Sequence, residues 1–557
     1  MPCHAEAPIA SRRQFPDLRS LPAPHLRPNR NMTANDHRPT AETRSACTSP
    51  ERAYQADPVF SGKHLYFVGI GGSGMSGLAR MLATRGACCS GSDQLASDLT
   101  AALDASGIPV SIGQAASAIP ARCDLVIASA AIRPDHPELL AAQERGLEVI
   151  SYAEALGRAQ LGRTAVSVAG THGKSTTTAM LAHILVQSGL DPSVIVGATC
   201  PHLGGGARTG SLAIPIGALR GKPGILVCEA CEFNRSFHHH HPTIALINNV
   251  EEDHLDCYAN IDAIVQSFRA FAERLPPAAQ GGKLLIADEG AHRREIAAGL
   301  SCEVATFGFS PMADFQVIFD AKASRAGLLQ DGIWLAQWSL AVHGDHMALN
   351  AAAAAIMAHW LGAEWEAIGA ALATFRGVDR RMQRLGTRPA TAGSGDEPVT
   401  VYDDYGHHPT ECEKTLRALR SVENPKRLIC VFQPHQHSRT RFLLDQFATS
   451  FSSADIVIVP NIYFVRDSEL ERTKVSSNDL VDKLRERRVD ALHIPTFEAI
   501  VDHLETIGRP GDLVVVMGAG PVNQIGLEYL RRATAASRGS NASLGAGSRG
   551  SAVACHS

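Results

Sequence analysis

The stretch that most constrains this chain runs from Val166 to His183, VSVAGTHGKSTTTAMLAH. Ala165 to Ala169 is a short apolar run and predicts a buried strand. Gly170-Thr171-His172-Gly173-Lys174-Ser175 follows, and from Thr176 to Val186 the residues Met180, Leu181, Ile184 and Leu185 fall at helical spacing. Strand, glycine loop and helix in that order make a phosphate cradle. The glycines let backbone N–H groups turn inward, and the helix N-terminus adds positive potential. Lys174 is placed to reach the β- and γ-phosphates of a nucleotide, and the Ser175 hydroxyl to sit on Mg²⁺. The full G-x-x-x-x-G-K-[ST] pattern has a glycine where Val168 stands, so the loop is a shortened variant.

A chain of 557 residues has room for three domains plus tails. Its net charge of −4 gives no electrostatic case for nucleic acid, and 5% aromatic residues offer little surface for stacking bases. No stretch reaches about 18 uncharged apolar residues, so no membrane span is expected. Thirteen scattered cysteines fit reduced thiols in the cytoplasm better than a disulfide framework. Cys228 and Cys231 have CxxC spacing, but no second pair accompanies them, which reads as coincidence at a strand end rather than zinc.

Residues 1–58 are rich in Pro, Arg, Ser and His without apolar periodicity and predict disorder, with Met32 as an alternative start. The first domain is expected over 59–160. His64 to Ile70 predicts a strand that runs into Gly69-Ile70-Gly71-Gly72-Ser73-Gly74, a GxGxxG match, and then a helix from Met75 to Thr84. A second strand, Ala87 to Ser90, leads to Asp93. That acid lies about 20 residues past the loop, where dinucleotide folds place a ribose-binding carboxylate. The unit predicts a Rossmann-like domain for a ligand with a pyrophosphate, which NAD, FAD and a UDP-sugar all have. Strands at Leu125 to Ala128 and Glu148 to Ile150, with a helix over Pro137 to Arg145 between them, complete it.

The central domain, 161–379, holds the phosphate loop. The strand from Gly224 to Cys228 ends at Glu229, and the strand from Thr243 to Asn248 leads through Glu251, Glu252 and Asp253 to His254. Ligands collect at the carboxyl ends of strands in an open α/β sheet, so Glu229 and His254 are expected to meet Lys174 and Ser175 and to complete a Mg²⁺ site. The run His238 to His241 reads as a loop. Residues 343–359 predict an Ala-rich helix with His346 and Asn350 on one face. The third domain, 380–533, is again α/β, with a polar loop over Arg388 to Glu397. Its strands at Val399 to Tyr402, Arg427 to Phe432, Ile456 to Pro460 and Asp512 to Met517 deliver polar clusters. The Ser/Ala/Gly-rich tail, 534–557, predicts disorder.

The wording of these motifs resembles the Mur ligases. GTHGKSTT, Glu229 and NVEEDHLD match that family's nucleotide and metal segments. GIGGSGMSGLA at 69–79 and DDYGHHPTE at 403–411 are closest to the branch that joins L-alanine to UDP-N-acetylmuramate. The resemblance runs in order from about residue 62 to 533. It implies three α/β domains: a Rossmann-like UDP-binding domain, a central P-loop-type ATPase domain and a Rossmann-like C-terminal domain. It also implies ATP and Mg²⁺ as cofactors.

The site residues it implies are these. UDP-sugar binding would fall to Gly69, Gly71, Gly72, Ser73, Gly74, Met75, Ser76 and Asp93. ATP binding would fall to Gly170, Thr171, His172, Gly173, Lys174, Ser175, Thr176, His346, Asn350 and Asp403. Ser175, Glu229 and His254 would hold metal, Tyr405, His407 and Arg439 the amino acid, and Lys174, His254 and Arg381 would be catalytic. The family's QPHRYSRT reads QPHQHSRT here, with Gln436 at an arginine position, and its EADESD reads EACEFN from Glu229 to Asn234. Alternatives stay open, among them a non-catalytic nucleotide-sensing protein that keeps the folds, and two others are enzymes. One is a recycling ligase of the same family that adds a tripeptide, and the other is a nicotinamide-dependent oxidoreductase built on the GxGxxG unit.

Overall fold

The computed structural model describes residues 59–465 and 467–544, so the expectations for 1–58 and Met32 lie outside the described residues. Three sheets organise the chain. The first has five parallel strands in the order Val110–Ile112, Cys88–Asp93, His64–Val68, Leu125–Ala128, Glu148–Ser151. The second has ten strands, and its middle runs parallel as Lys283–Ala287, Ile244–Ile247, Thr164–Ala169, Ile225–Glu229, Ser193–Cys200. The third has six, with Val399–Asp404, Asp512–Met517, Arg427–Phe432, Ile456–Val459 and Asp490–His493 parallel and Gln383–Arg388 antiparallel at one edge. Runs such as AVSVA, LICVF and LVVVM are apolar almost without interruption because helices cover both faces of such sheets.

The register of the second sheet places the chemistry. Ala169 pairs with Ile247, and Val168 with Glu229. Three adjacent parallel strands therefore end together, and the loops after them open on one edge. The helix Lys174–Gln187 behind the phosphate loop is buried nearly all round. The Ala-rich helix Asp345–Trp360 packs along it, and both belong to one apolar core.

The first and second domains also share a core. Helix Ser73–Thr84 lies against the strands Ser193–Cys200 and Gly205–Arg208. Leu78 and Met81 cluster with Ile195, Leu226 and Cys228 across the boundary. Contact is close enough that a Cβ on Gly77 would come within 2.5 Å of Ala207 Cβ, and one on Gly157 within 1.9 Å of the His239 carbonyl.

Several expectations are corrected. The histidine run starts in a 3-10 segment, Phe233–His239, rather than in a plain loop, and three of its four histidines have partners given by the structure. His238 Nε2 bonds the Ser267 carbonyl, His240 Nδ1 is buried beside Ser167 and Gln160, and the His241 N–H donates to Gln160 Oε1. Arg388 ends a strand instead of opening a loop. It is 5% exposed, stacks 4.0 Å from the Tyr529 ring centroid and donates to the Tyr529 carbonyl. The last helix, Asn523–Leu544, continues into the stretch expected to lack structure, where alanines favour helix. Residues 545–557 lie outside the described residues. Among the described residues no helix is long and apolar enough to cross a membrane.

Candidate active site

Gly170 and Gly173 have φ of +137° and +80°, a region that side chains disfavour. A Cβ on Gly173 would lie 2.7 Å from Asn350 Oδ1 and 2.9 Å from Asn248 Nδ2, so the loop closes against two asparagines. Asn249 fixes it further, accepting from Thr171 N at 3.0 Å and, through Oδ1, from His172 N at 2.7 Å. The loop therefore presents the N-terminus of helix Lys174–Gln187, with Ser175 and Thr176 in its first turn.

That edge opens on a cavity of about 430 Å³ to which all three domains contribute. Ser73 comes from the first. Lys174, Ser175, Glu229 and His254 come from the second, and Arg381, Tyr405 and His407 from the third. A smaller cavity of about 70 Å³ is lined by Thr176, His346, Asn350, Arg381 and Asp404. His172, Gly173, Arg381 and Glu411 line both.

Lys174 Nζ donates to the carbonyls of Gly170 at 2.6 Å and Thr171 at 3.0 Å, and meets both oxygens of Glu232 at 2.9 and 3.0 Å. Burial alone would depress its pKa, but the Glu232 charge more than offsets this and the ammonium is held above its ordinary value. Glu229 Oε1 accepts from Gly197 N at 2.6 Å, and burial raises its carboxyl pKa against the help of Gly197 and Ser175. His254 sits at φ +53°. The carboxylates within 4 Å of its Nε2 are Asp253 at 3.7 Å and Glu232 at 3.8 Å, not the Glu229 that its strand-end position suggests.

In the third domain, Arg380 is committed to structure. It donates to the Gly518 and Gly520 carbonyls and lies 3.3 Å from Asp403. Arg381 instead lines both cavities, 3.6 Å from Glu411, with its guanidinium 4.9 Å from the Tyr405 ring centroid. Burial lowers the His407 pKa to about 4, with Glu411 opposing, so the ring is neutral near pH 7. Its Nδ1 lies 3.1 Å from the Tyr405 carbonyl.

Five expected ligand residues face elsewhere. Asp403 turns away from both cavities toward Arg380, and Asp404 lines the smaller one in its place. Successive strand residues point to opposite faces, so a one-residue choice decides the matter. Burial raises the Asp404 pKa to about 6 against the pull of Arg381. Arg439 is 7% exposed and paired with Asp253 at 2.8 Å, which places it behind the cavity wall. Met75 packs into the core, and Ser76 bonds the Ser73 carbonyl. Asp93 accepts from Gly71 N at 2.8 Å and from Leu95 N, so it braces its own glycine loop.

Residues not singled out from sequence also shape the site. Glu232, Asp253 and Glu411 all line the larger cavity. Glu411 is the hub between the second and third domains. It receives His172 Nδ1 at 3.2 Å and the backbone N–H groups of His407 and His408. Its signals in the sequence are its place at the end of DDYGHHPTE and its capping-box position three residues after the His408 cap.

Three family models match in chain order: the Mur ligase family catalytic domain over residues 64–163, the Mur ligase middle domain over 168–358, and the Mur ligase glutamate ligase domain over 380–520. The UDP-N-acetylmuramate–L-alanine ligase of Lachnospira eligens is 37% identical over 474 residues, covering 84% of this chain and 98% of the relative. The chain belongs to the Mur ligase family. Another relative of the same name, from Caldanaerobacter subterraneus, is 37% identical over 84% of this chain and 97% of its own length. The crystal structure of the UDP-N-acetylmuramate–alanine ligase of Thermotoga maritima superposes with a TM-score of 0.66 at 25% identity, covering 85% of this chain and all of that one. A murein peptide ligase from Psychrobacter arcticus shares the fold at a TM-score of 0.62 and 23% identity, over 84% of this chain and 98% of its own. As a Mur ligase the chain is an ATP-dependent amide-forming enzyme, and the nicotinamide alternative falls away.

Proposed function

We propose that this Mur ligase joins L-alanine to the lactyl carboxylate of UDP-N-acetylmuramate in cytoplasmic peptidoglycan precursor synthesis. A carboxylate is a poor electrophile. Its oxygen attacks the γ-phosphorus of ATP, ADP leaves, and an acyl phosphate forms. The alanine amine then attacks the acyl carbon and phosphate departs, leaving an amide. The observation that carries this reading is the 430 Å³ cavity, where one residue of the UDP-side domain, the phosphate loop and the C-terminal domain face a common space.

The donor set fits Mg²⁺ with a triphosphate: a hydroxyl at Ser175, carboxylates at Glu229 and Glu232, an imidazole at His254 and a backbone-amide loop. When bound, the cation supplies charge neutralisation at the phosphates. The protein's own share is positioning and electrostatics. Lys174 and Arg381 offer positive charge to the transferring group. Thr176, His346, Asn350 and Asp404 hold the nucleotide end. Neutral His407, with Nδ1–H given to the Tyr405 carbonyl, keeps Nε2 as an acceptor for the ammonium proton of alanine.

Lys174→Ala is expected to cut phosphate release by at least about a thousandfold, in the range of losing a principal transition-state charge contact, while UDP-N-acetylmuramate binding persists. Phosphate release with L-alanine, or with a tripeptide in its place, checks the acceptor. Turnover only with the tripeptide would reassign the substrate.

A further inference from the structure

We propose that Glu232 is a positioning residue that exchanges partners as nucleotide binds. It holds the Lys174 ammonium until phosphate oxygens take that place, and its carboxylate then serves the divalent cation beside His254. This rests on the reaction proposed above and gives one of its residues a second partner.

The first observation is a saturated ammonium. Lys174 has three protons, and its acceptors are two loop carbonyls and the Glu232 carboxylate. A phosphate oxygen can bond this lysine only by displacing one of them. The carbonyls belong to the loop backbone itself, whereas the Glu232 carboxylate can be displaced by side-chain torsions without moving the loop. A carboxylate left beside a triphosphate would repel it, so Glu232 needs a second cationic partner.

The second observation supplies that partner's place. Glu232 Oε1 is already 3.8 Å from His254 Nε2, and Glu232, Asp253 and His254 each bring one ligand atom within 4.8 Å of the others. Asp253 is engaged by Arg439 through contacts of 2.8 and 2.9 Å, which leaves Glu232 as the carboxylate of this trio free to change partner.

The third observation is a backbone built to hold the residue there. Asn234 and Arg235 follow it at φ of +50° and +53°, a conformation non-glycine residues adopt only when their surroundings enforce it. Tyr258 Oη donates to the Glu232 carbonyl at 2.5 Å, Arg235 N donates to the same oxygen at 2.9 Å, and the Arg235 guanidinium lies 5.1 Å from the Tyr258 ring centroid. Phe233 sets its ring edgewise to His254, centroids 5.0 Å apart. The strained segment thus fixes Glu232 between the lysine and the histidine.

The test uses the full-length protein with Glu232→Gln and Glu232→Asp. ATP binding is titrated calorimetrically in EDTA, and Mn²⁺ binding to the protein–ATP complex is followed by electron paramagnetic resonance. Glu232→Gln is expected to tighten cation-free ATP binding about tenfold, because a competing conformation is removed. It is expected to weaken Mn²⁺ by about 10–100-fold, as losing a metal-site partner does. A merely structural role would weaken both together, and that result, or no change in either, overturns the proposal. Should the Gln variant fail to fold, Glu232→Asp carries the test. Its shorter arm is expected to weaken Mn²⁺ while leaving cation-free ATP binding equal or tighter, and parent-like values for both would overturn the role. These readouts do not involve the acceptor, so a failed ligation assay counts against the reaction and not against Glu232.

Discussion

The central domain meets its two neighbours in opposite ways. Toward the first domain the seam is apolar and continuous with the core, with Leu78 and Met81 set among Ile195, Leu226 and Cys228. Each such side chain contributes roughly 1.5–3 kcal/mol on full burial. Toward the third domain the seam is charged. Asp253 pairs with Arg439, His172 with Glu411 and Glu251, and His408 Nε2 donates to the Glu252 carbonyl. An apolar seam has no partner that a substrate could capture. The charged seam is made of ions and imidazoles, the kinds of group whose partners a phosphate, a cation or a proton can compete for. The chemistry sits at the seam whose contacts are exchangeable.

Three experiments can break or sharpen this contrast. The largest effect is expected from Asp253→Ala, which leaves Arg439 buried and unpaired. About 3–5 kcal/mol should be lost, because breaking one half of a buried pair strands the other charge. Hydrogen exchange should locate the loss in the third domain, and a loss confined to the first would undo the comparison. Next is Gly157→Ala, whose new Cβ would meet the His239 carbonyl at 1.9 Å. Overpacking of this kind costs about 1–3 kcal/mol. Urea unfolding should show it, with the third domain's exchange protection intact.

The smallest effect is a pH response. Burial pulls the His172 pKa down, but Glu411 and Glu251 outweigh burial and raise it from 6.5 to about 9. A folded pKa above the unfolded one stabilises fully below about pH 6.5, and that stability drains as pH rises through about 9. On the order of 2 kcal/mol should leave the charged seam between pH 7 and 10. Exchange protection at the apolar seam should stay flat over the same range.

Much of this was readable before any fold was known, because the decisive signals were local. A strand, a glycine loop and a helix are neighbours in sequence, so Lys174 and Ser175 announced themselves. Glu229 and His254 reach the same cavity because adjacent parallel strands end together, which their strand-end positions suggest. What sequence could not show was the choice of partner across distance. Lys174 meets Glu232 fifty-eight positions away, and Asp253 meets Arg439 across 186. Asp403 and Asp404 differ only in which face of a strand they take, which the pairing register settles. The antiparallel strands Arg325–Gln330 and Ile333–Ser339 also escaped notice. Arg325–Gln330 is short and buried over Ala326 to Leu329, and Ile333–Ser339 is a half-exposed edge, so neither shows a clean alternation.

The Ala351 to Ala355 run has a consequence for how this protein can change over time. All five methyl groups are fully buried in the core that the Ala-rich helix shares with the helix behind the phosphate loop. Successive residues of a helix point about 100° apart, so the run is packed on every side, and a larger residue in it would have to displace one neighbouring element or another. Bulk alone therefore limits which substitutions this spot accepts over time.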